Sequence, residues 1–283
     1  MREKDHLKIS YEDNHQKGIK FLIASGLAFS LMSVCVKEIG EKIPVSELVL
    51  ARAAISLVIT RFLLFKKKIN PWGKNKKLLL IRGLLGTIAL FCIFKALTIL
   101  PIATATVIQY IYPTFTVICA YFILNEFIVK KIVLSIFIGW IGIVLVSQPE
   151  WATNSNFIEN FTAIGIAILG ALMTSLAYIC VRKLSANEEP LVIIYYFPLV
   201  SIPISLPFIV NNFVLPTGLD WLWILGIGFF TQIGQLCITE GLRLIPAGQA
   251  TSLNYSQVIF ASIAGFLFFQ EALTTEFYLG GLC

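Results

Sequence analysis

The chain has 283 residues, 57% of them hydrophobic and only 13% charged, with 22 bases, 16 acids and a net charge of +6. Its mean hydropathy is +0.83. Soluble domains carry about 25% charged residues, so a water-soluble globular enzyme is excluded, and the long charge-free runs exceed the roughly ten residues that a transmembrane barrel strand needs.

Residues 1–17 (MREKDHLKISYEDNHQK) form a polar tail, too long and too acidic for the basic start of a signal peptide. A bilayer core takes about 20 apolar residues per helix. On that measure spans are expected at 18–37, 45–65, 78–98, 101–124, 131–147, 161–184, 190–210, 219–242, 246–270 and 273–283. The last is too short to cross at about 1.5 Å per residue, so the tenth helix is expected to be incomplete. The expected fold is all-α and polytopic.

Lys and Arg orient it. With the N-terminus in the cytoplasm, 18 of the 22 bases fall inside, including the run KKKINPWGKNKK and its flanking Arg61 and Arg82. Lys37 and Lys42 fall outside, and Arg52 and Lys95 within the membrane. The reverse orientation would invert this bias. The bases therefore read as an orientation signal in a lipid bilayer, and nucleic acid is not an expected partner. The short loops and the lack of a targeting segment suit a bacterial inner membrane.

His6 and His15 lie in the tail, and none of the six cysteines forms a CxxC pair. No metal and no cofactor is expected. No GxxxxGK[ST] loop occurs, so transport would run on a gradient or by exchange. An enzyme would need a clustered constellation near an interface, and Asp occurs only at Asp5, Asp13 and Asp220.

Sliding the sequence by 145 residues matches it to itself without gaps. Pro101 meets Pro246, Tyr110 meets Tyr255 and Glu126 meets Glu271. Gly83 meets Gly228, Cys92 meets Cys237, and Ser30-Leu31 meets Ser175-Leu176. The expected organisation is the tail, a first five-helix repeat (18–147), an external loop (148–160) and a second repeat (161–283). An odd number of helices inverts the second copy, the architecture of secondary transporters with a site near the mid-plane. A passive channel gains nothing from that symmetry.

Several residues stand out chemically. Lys95 costs roughly 2.5–3.5 kcal/mol in a membrane helix, and its repeat mate is Glu240. Either the two face a shared cavity and bind substrate, or each snorkels to its nearer surface. Arg52 either holds helix two against the bundle or binds an anion. Gln109 and Tyr110 on helix four correspond to Asn254 and Tyr255 on helix nine. These polar groups must face the protein interior, as site lining or as helix-to-helix bonds. Gln232, Gln235 and Thr239 make a second stripe. Pro113 can kink helix four, as a hinge or as a static bend. Glu126 and Glu271 either cap the next helix or pair across a closed gate.

Two five-helix halves, Arg52, Arg82 opening helix three, Ala96-Leu97…Pro101, Pro113, Glu126, Leu242…Pro246 and Glu271 together resemble the EamA-type carriers of the drug/metabolite transporter superfamily, over about residues 18–283. The pattern departs at Val258, where the second half often has proline, and at Asn125 and Gln270, where Gly is usual. The resemblance implies an exporter or exchanger of small polar metabolites, with its site between the halves. Lys95 with Glu240 would suit a zwitterion such as an amino acid. Lys95 with Arg52 would suit an organic anion or a phosphorylated metabolite.

Overall fold

The computed structural model describes residues 2–40, 42–99, 108–147, 157–209 and 213–269, and no strand occurs among them. The helices are α1 (Arg2–Ile39), α2 (Val45–Lys66), α3 (Lys76–Ile99), α4 (Tyr112–Leu124), α5 (Lys130–Ser147) and α6 (Phe157–Leu184). They continue with α7 (Pro190–Ser205, extended by a 3-10 turn), α8 (Asp220–Leu244), α9 (Ala247–Leu253) and α10 (Ser256–Phe269). Among the described residues, six stretches are long and apolar enough to cross a bilayer: Asp13–Ile39, Ser46–Lys66, Thr162–Leu184, Pro190–Phe208, Asp220–Leu244 and Ala247–Phe269. The protein is an all-α polytopic membrane protein. The expected tenth helix, Glu271 and Pro101 lie outside the described residues.

Burial is the reverse of a soluble fold. Phe62, Phe65, Phe122, Phe137, Leu222 and Leu267 point outward. Ser25, Ser56, Thr60, Thr116, Ser175, Thr231, Gln232 and Asn254 are buried. Lipid tails are as apolar as Leu, so large apolar groups can face them, while polar groups need partners that only the protein offers.

Two expectations change at the helix level. The tail reads as helix, because residues 2–17 contain no Gly or Pro and are rich in helix-forming Glu and Lys. One consequence is that His15, expected in a free tail, lies against Gln249 on α9 at 3.0–3.3 Å. The expected helices four and nine are each interrupted, with turns at Tyr110-Ile111 and at Asn254-Tyr255.

Pro113 does not cause the first interruption. It stands in the first turn of α4, where a missing N–H costs no helical bond. The second interruption carries Val258 at the matching position, so the break recurs without proline. At the other end of α4, Asn125 takes a left-handed φ of 54° and caps the helix through its N–H to Ala120 O. Asn is one of the few residues that tolerate this conformation, which explains why a glycine position accepts it here.

The packing follows one plan twice. Helix α1 packs on α8 and α3 on α6; α3 packs on α7 and α2 on α8; α4 packs on α6, and α9 and α10 on α1. Each pair maps onto its partner when 145 residues are added, with α2 on α7 mapping onto itself. The closest approaches repeat as well. A Cβ on Gly83 would meet Val200 Cγ2 at 2.9 Å, and a Cβ on Gly228 would press into Ile55. Val200 and Ile55 are themselves 145 apart. Both helix crossings need a residue without a side chain, at equivalent places.

Candidate functional site

Helix α2 carries Arg52 and, one turn on, Ser56 along the same face. Helix α8 carries Gln232 and Gln235 on one face. The two helices are joined where Ser56 Oγ donates to Gln232 Oε1 at 2.6 Å. Helix α3 reaches the same place through Arg82, whose Nη2 donates to Gln235 Oε1 at 3.1 Å. The Phe197 ring of α7 lies against both guanidiniums, with Arg52 Cζ at 5.7 Å and Arg82 Cζ at 5.3 Å from its centroid. These are cation–π distances.

The two arginines are close enough to repel each other, and Tyr178 of α6 interacts electrostatically with both. From Tyr178 a train of rings crosses the bundle. Tyr178 meets Tyr112 edge-on at 5.6 Å, Tyr112 lies 6.1 Å from Tyr110, and Tyr110 lies 5.9 Å from Tyr255. The Tyr255 hydroxyl approaches Tyr110 O at 3.4 Å. Asn254 is buried against the Tyr112 phenol. Both helix interruptions therefore fall within the cluster, which frees backbone groups beside it.

Residues at equivalent positions touch here. Arg52 and Phe197 are 145 apart, and so are Tyr110 and Tyr255. Equivalent residues of two symmetric halves can meet only near the axis that relates them. The cluster thus sits at the centre of the molecule.

Of the residues expected from sequence, Tyr110, Tyr255, Asn254 and Arg52 come together. Gln109 is half-buried beside the first turn. Lys95 and Glu240 lie toward the ends of their helices. Lys95 is exposed, four residues from the end of α3. Glu240 lies four residues from the end of α8 and pairs with Arg243 at 3.7 Å. Both sit near helix ends, where a long side chain reaches the boundary.

Tyr178 and Phe197 were not singled out, and Arg82 was singled out only as part of the family resemblance. Arg82 was counted with the inner loop bases, yet it is 4% exposed. Its signal in the sequence was its place as the seventh residue of a helix, beyond the basic loop itself. The signal for Phe197 was its place 145 after Arg52.

Glu126 occupies a separate locus, at the end of α4. Its Oε1 accepts from Arg182 Nε at 3.0 Å and its Oε2 from Ala247 N at 3.0 Å. Arg182 Nη1 also donates to Leu242 O and Arg243 O, at 2.9 and 2.8 Å. One ion pair thus joins the ends of α4, α6 and α8 to the start of α9. Glu126 thus bonds the first amide of α9, not the helix that follows it in the chain, and carries an ion pair as well.

The chain matches the description "EamA-like transporter family" twice, over residues 16–148 and 161–283. It is 25% identical to the pseudopaline exporter CntI of Pseudomonas aeruginosa, over 94% of this chain and 93% of that protein. It is 28% identical to solute carrier family 35 member G1 of Homo sapiens (94% and 76%). With the S-adenosylmethionine uptake transporter of Rickettsia prowazekii the identity is 24% (90% and 85%). A solved crystal structure superposes with a TM-score of 0.84 at 16% identity, covering 94% of this chain and 93% of that one, a likeness of fold. Two family matches that span most of the chain, and transporters among its full-length relatives, place this protein in the EamA-like transporter family.

Proposed function

We propose that the protein is a secondary carrier that moves a small polar metabolite by alternating access, with its N-terminus in the cytoplasm, and that the central cluster is its substrate site. The observation that carries this reading is the contact between equivalent residues, Arg52 with Phe197 and Tyr110 with Tyr255. A site on the axis between two halves keeps its place while the halves exchange conformations around it. The interrupted helices beside it support the same reading, since discontinuous helices line the mid-plane sites of such carriers.

Gln109, Tyr110, Asn254 and Tyr255 line the site together with Arg52 and Arg82. The turns at Tyr110-Ile111 and Asn254-Tyr255 serve as hinges in place of Pro113. The Glu126–Arg182 pair closes the inner side and opens when substrate leaves inward. Relatives include both an exporter and an uptake transporter. Direction then follows the gradient, and export or exchange is the working mode here.

The test is counterflow. Proteoliposomes loaded with one unlabelled metabolite from a panel of amino acids and organic acids receive the same compound labelled outside. A carrier accumulates label transiently above equilibrium. A pore equilibrates without overshoot, and that result overturns the proposal.

A further inference from the structure

We propose that the central site selects organic anions, holding a carboxylate or phosphate group between Arg52 and Arg82. This names the substrate class for the carrier site proposed above. The argument begins with hydrogen bonds that are not made. Arg52 Nε, Arg82 Nε, Arg82 Nη1 and Gln232 Nε2 are all buried and have no partner among the described residues. Every one of these four is a donor, and the one unpartnered amide oxygen of the cluster, Asn254 Oδ1, lies beside Tyr112 on the tyrosine side. They belong to three helices that already converge through the Ser56–Gln232 and Arg82–Gln235 bonds. A buried unpaired donor is costly and rare, so four in one place mark room for an acceptor.

Charge points the same way. Two guanidiniums lie against the same phenyl ring in an apolar interior, and no carboxylate among the described side chains forms an ion pair with either. Glu47 accepts Val214 N, Glu188 accepts the amides of Lys74 and Asn75, and Asp220 is engaged by Thr217 and Lys42. Glu126 and Glu240 pair with Arg182 and Arg243. Of the remaining acids, those whose side chains are described, Asp13, Glu38 and Glu189, are exposed. Like charges buried without a counter-ion are unfavourable, and an incoming anion removes both the repulsion and the missing bonds. Guanidinium is the group whose planar fork fits carboxylate and phosphate in a bidentate way. The tyrosine train, with apolar ring faces and polar edges, gives the body of such a ligand a surface to lie on.

Ligand-induced stabilisation of the purified full chain in lipid nanodiscs tests this directly. The probes are succinate, glutamate, glucose 6-phosphate, free lysine and choline, at equal ionic strength. Saturable stabilisation by at least one anion, and none by lysine or choline, is the expected result. The succinate and glucose 6-phosphate arms separate carboxylate from phosphate. Stabilisation by the cations, or by none of the anions, overturns the proposal. In Arg82→Gln the affinity for the active anion should fall at least tenfold, while Arg82→Lys, which keeps charge without the fork, falls less. An Arg82→Gln protein that melts earlier but binds the anion with unchanged affinity makes the arginine structural and also overturns it. Anion binding without counterflow would remove the carrier reading and leave the anion site standing. Counterflow of a cation without anion binding would do the opposite.

Discussion

Helices α2 and α3 bring Arg52 and Arg82 to the centre of the molecule, and the residues 145 later on α7 and α8 are Phe197 and Ile227. Around them almost everything else is repeated: the helix pairings, the glycine contacts at Gly83 and Gly228, and the interruptions at Tyr110 and Tyr255. The comparison separates two demands. Exchanging inward and outward conformations requires a backbone that can adopt two related shapes, so packing positions are shared. Holding one asymmetric ligand on the axis requires different groups on its two sides, so the charges are not.

The largest effect expected from breaking this contrast is at Arg82. Changing Arg82→Gln should lower the counterflow rate about 100-fold, the scale set by losing one partner of a buried charge pair. The equivalent change Ile227→Gln should leave substrate selectivity unaltered. Equal losses of selectivity in both would mean the two halves share the chemistry after all. Next come the shared contacts. Gly83→Val and Gly228→Val should each destabilise the fold by about 1–3 kcal/mol, as overpacking does, and by similar amounts in a melting assay on the detergent-solubilised protein. A penalty in only one half would break the packing equivalence.

The Glu126–Arg182 ion pair sharpens the comparison further, because Arg182 is equivalent to Lys37, which lies 4.3 Å from the Phe269 ring centroid. Arg182→Ala removes a charged hydrogen bond to Glu126 and two carbonyl contacts, at a cost of about 1–3 kcal/mol. It should also speed maleimide labelling of a cysteine placed at Ala247. The smallest effects belong to Pro113→Ala and Lys95→Ala. Each should change stability by no more than about 0.5 kcal/mol and leave the counterflow rate within error. A large loss for Lys95→Ala would return that residue to the site.

Much of this was legible in the chain. Hydropathy located the spans, the Lys and Arg bias suggested an orientation, and the 145-residue offset anticipated which helices would pair alike. That Tyr110, Tyr255 and Asn254 turn into the protein was legible because polar groups in lipid must face inward. For Lys95 and Glu240 the sequence left two readings open, because insertion cost depends on depth. A residue four positions from a helix end can avoid that cost, and the sequence does not tell where the end falls to better than a few residues. Arg82 was under-read for the converse reason: it adjoins a basic loop, and a one-dimensional count cannot distinguish a loop base from one turned into the bundle.

Pro113 shows the same limit from another side. A proline in an apolar run predicts a bend, but its consequence depends on which helical turn it occupies. Here the helix starts one residue earlier and the bend lies just before it.

By itself the sequence determined the class of molecule and the equivalent packing of its halves. Both depend on local composition and on repetition along the chain. Only the tertiary structure decided which groups share the centre. That outcome depends on the tilt and rotation of helices distant in sequence, and it alone put Arg82 beside Gln235, Phe197 against both guanidiniums, and Tyr110 against its own counterpart.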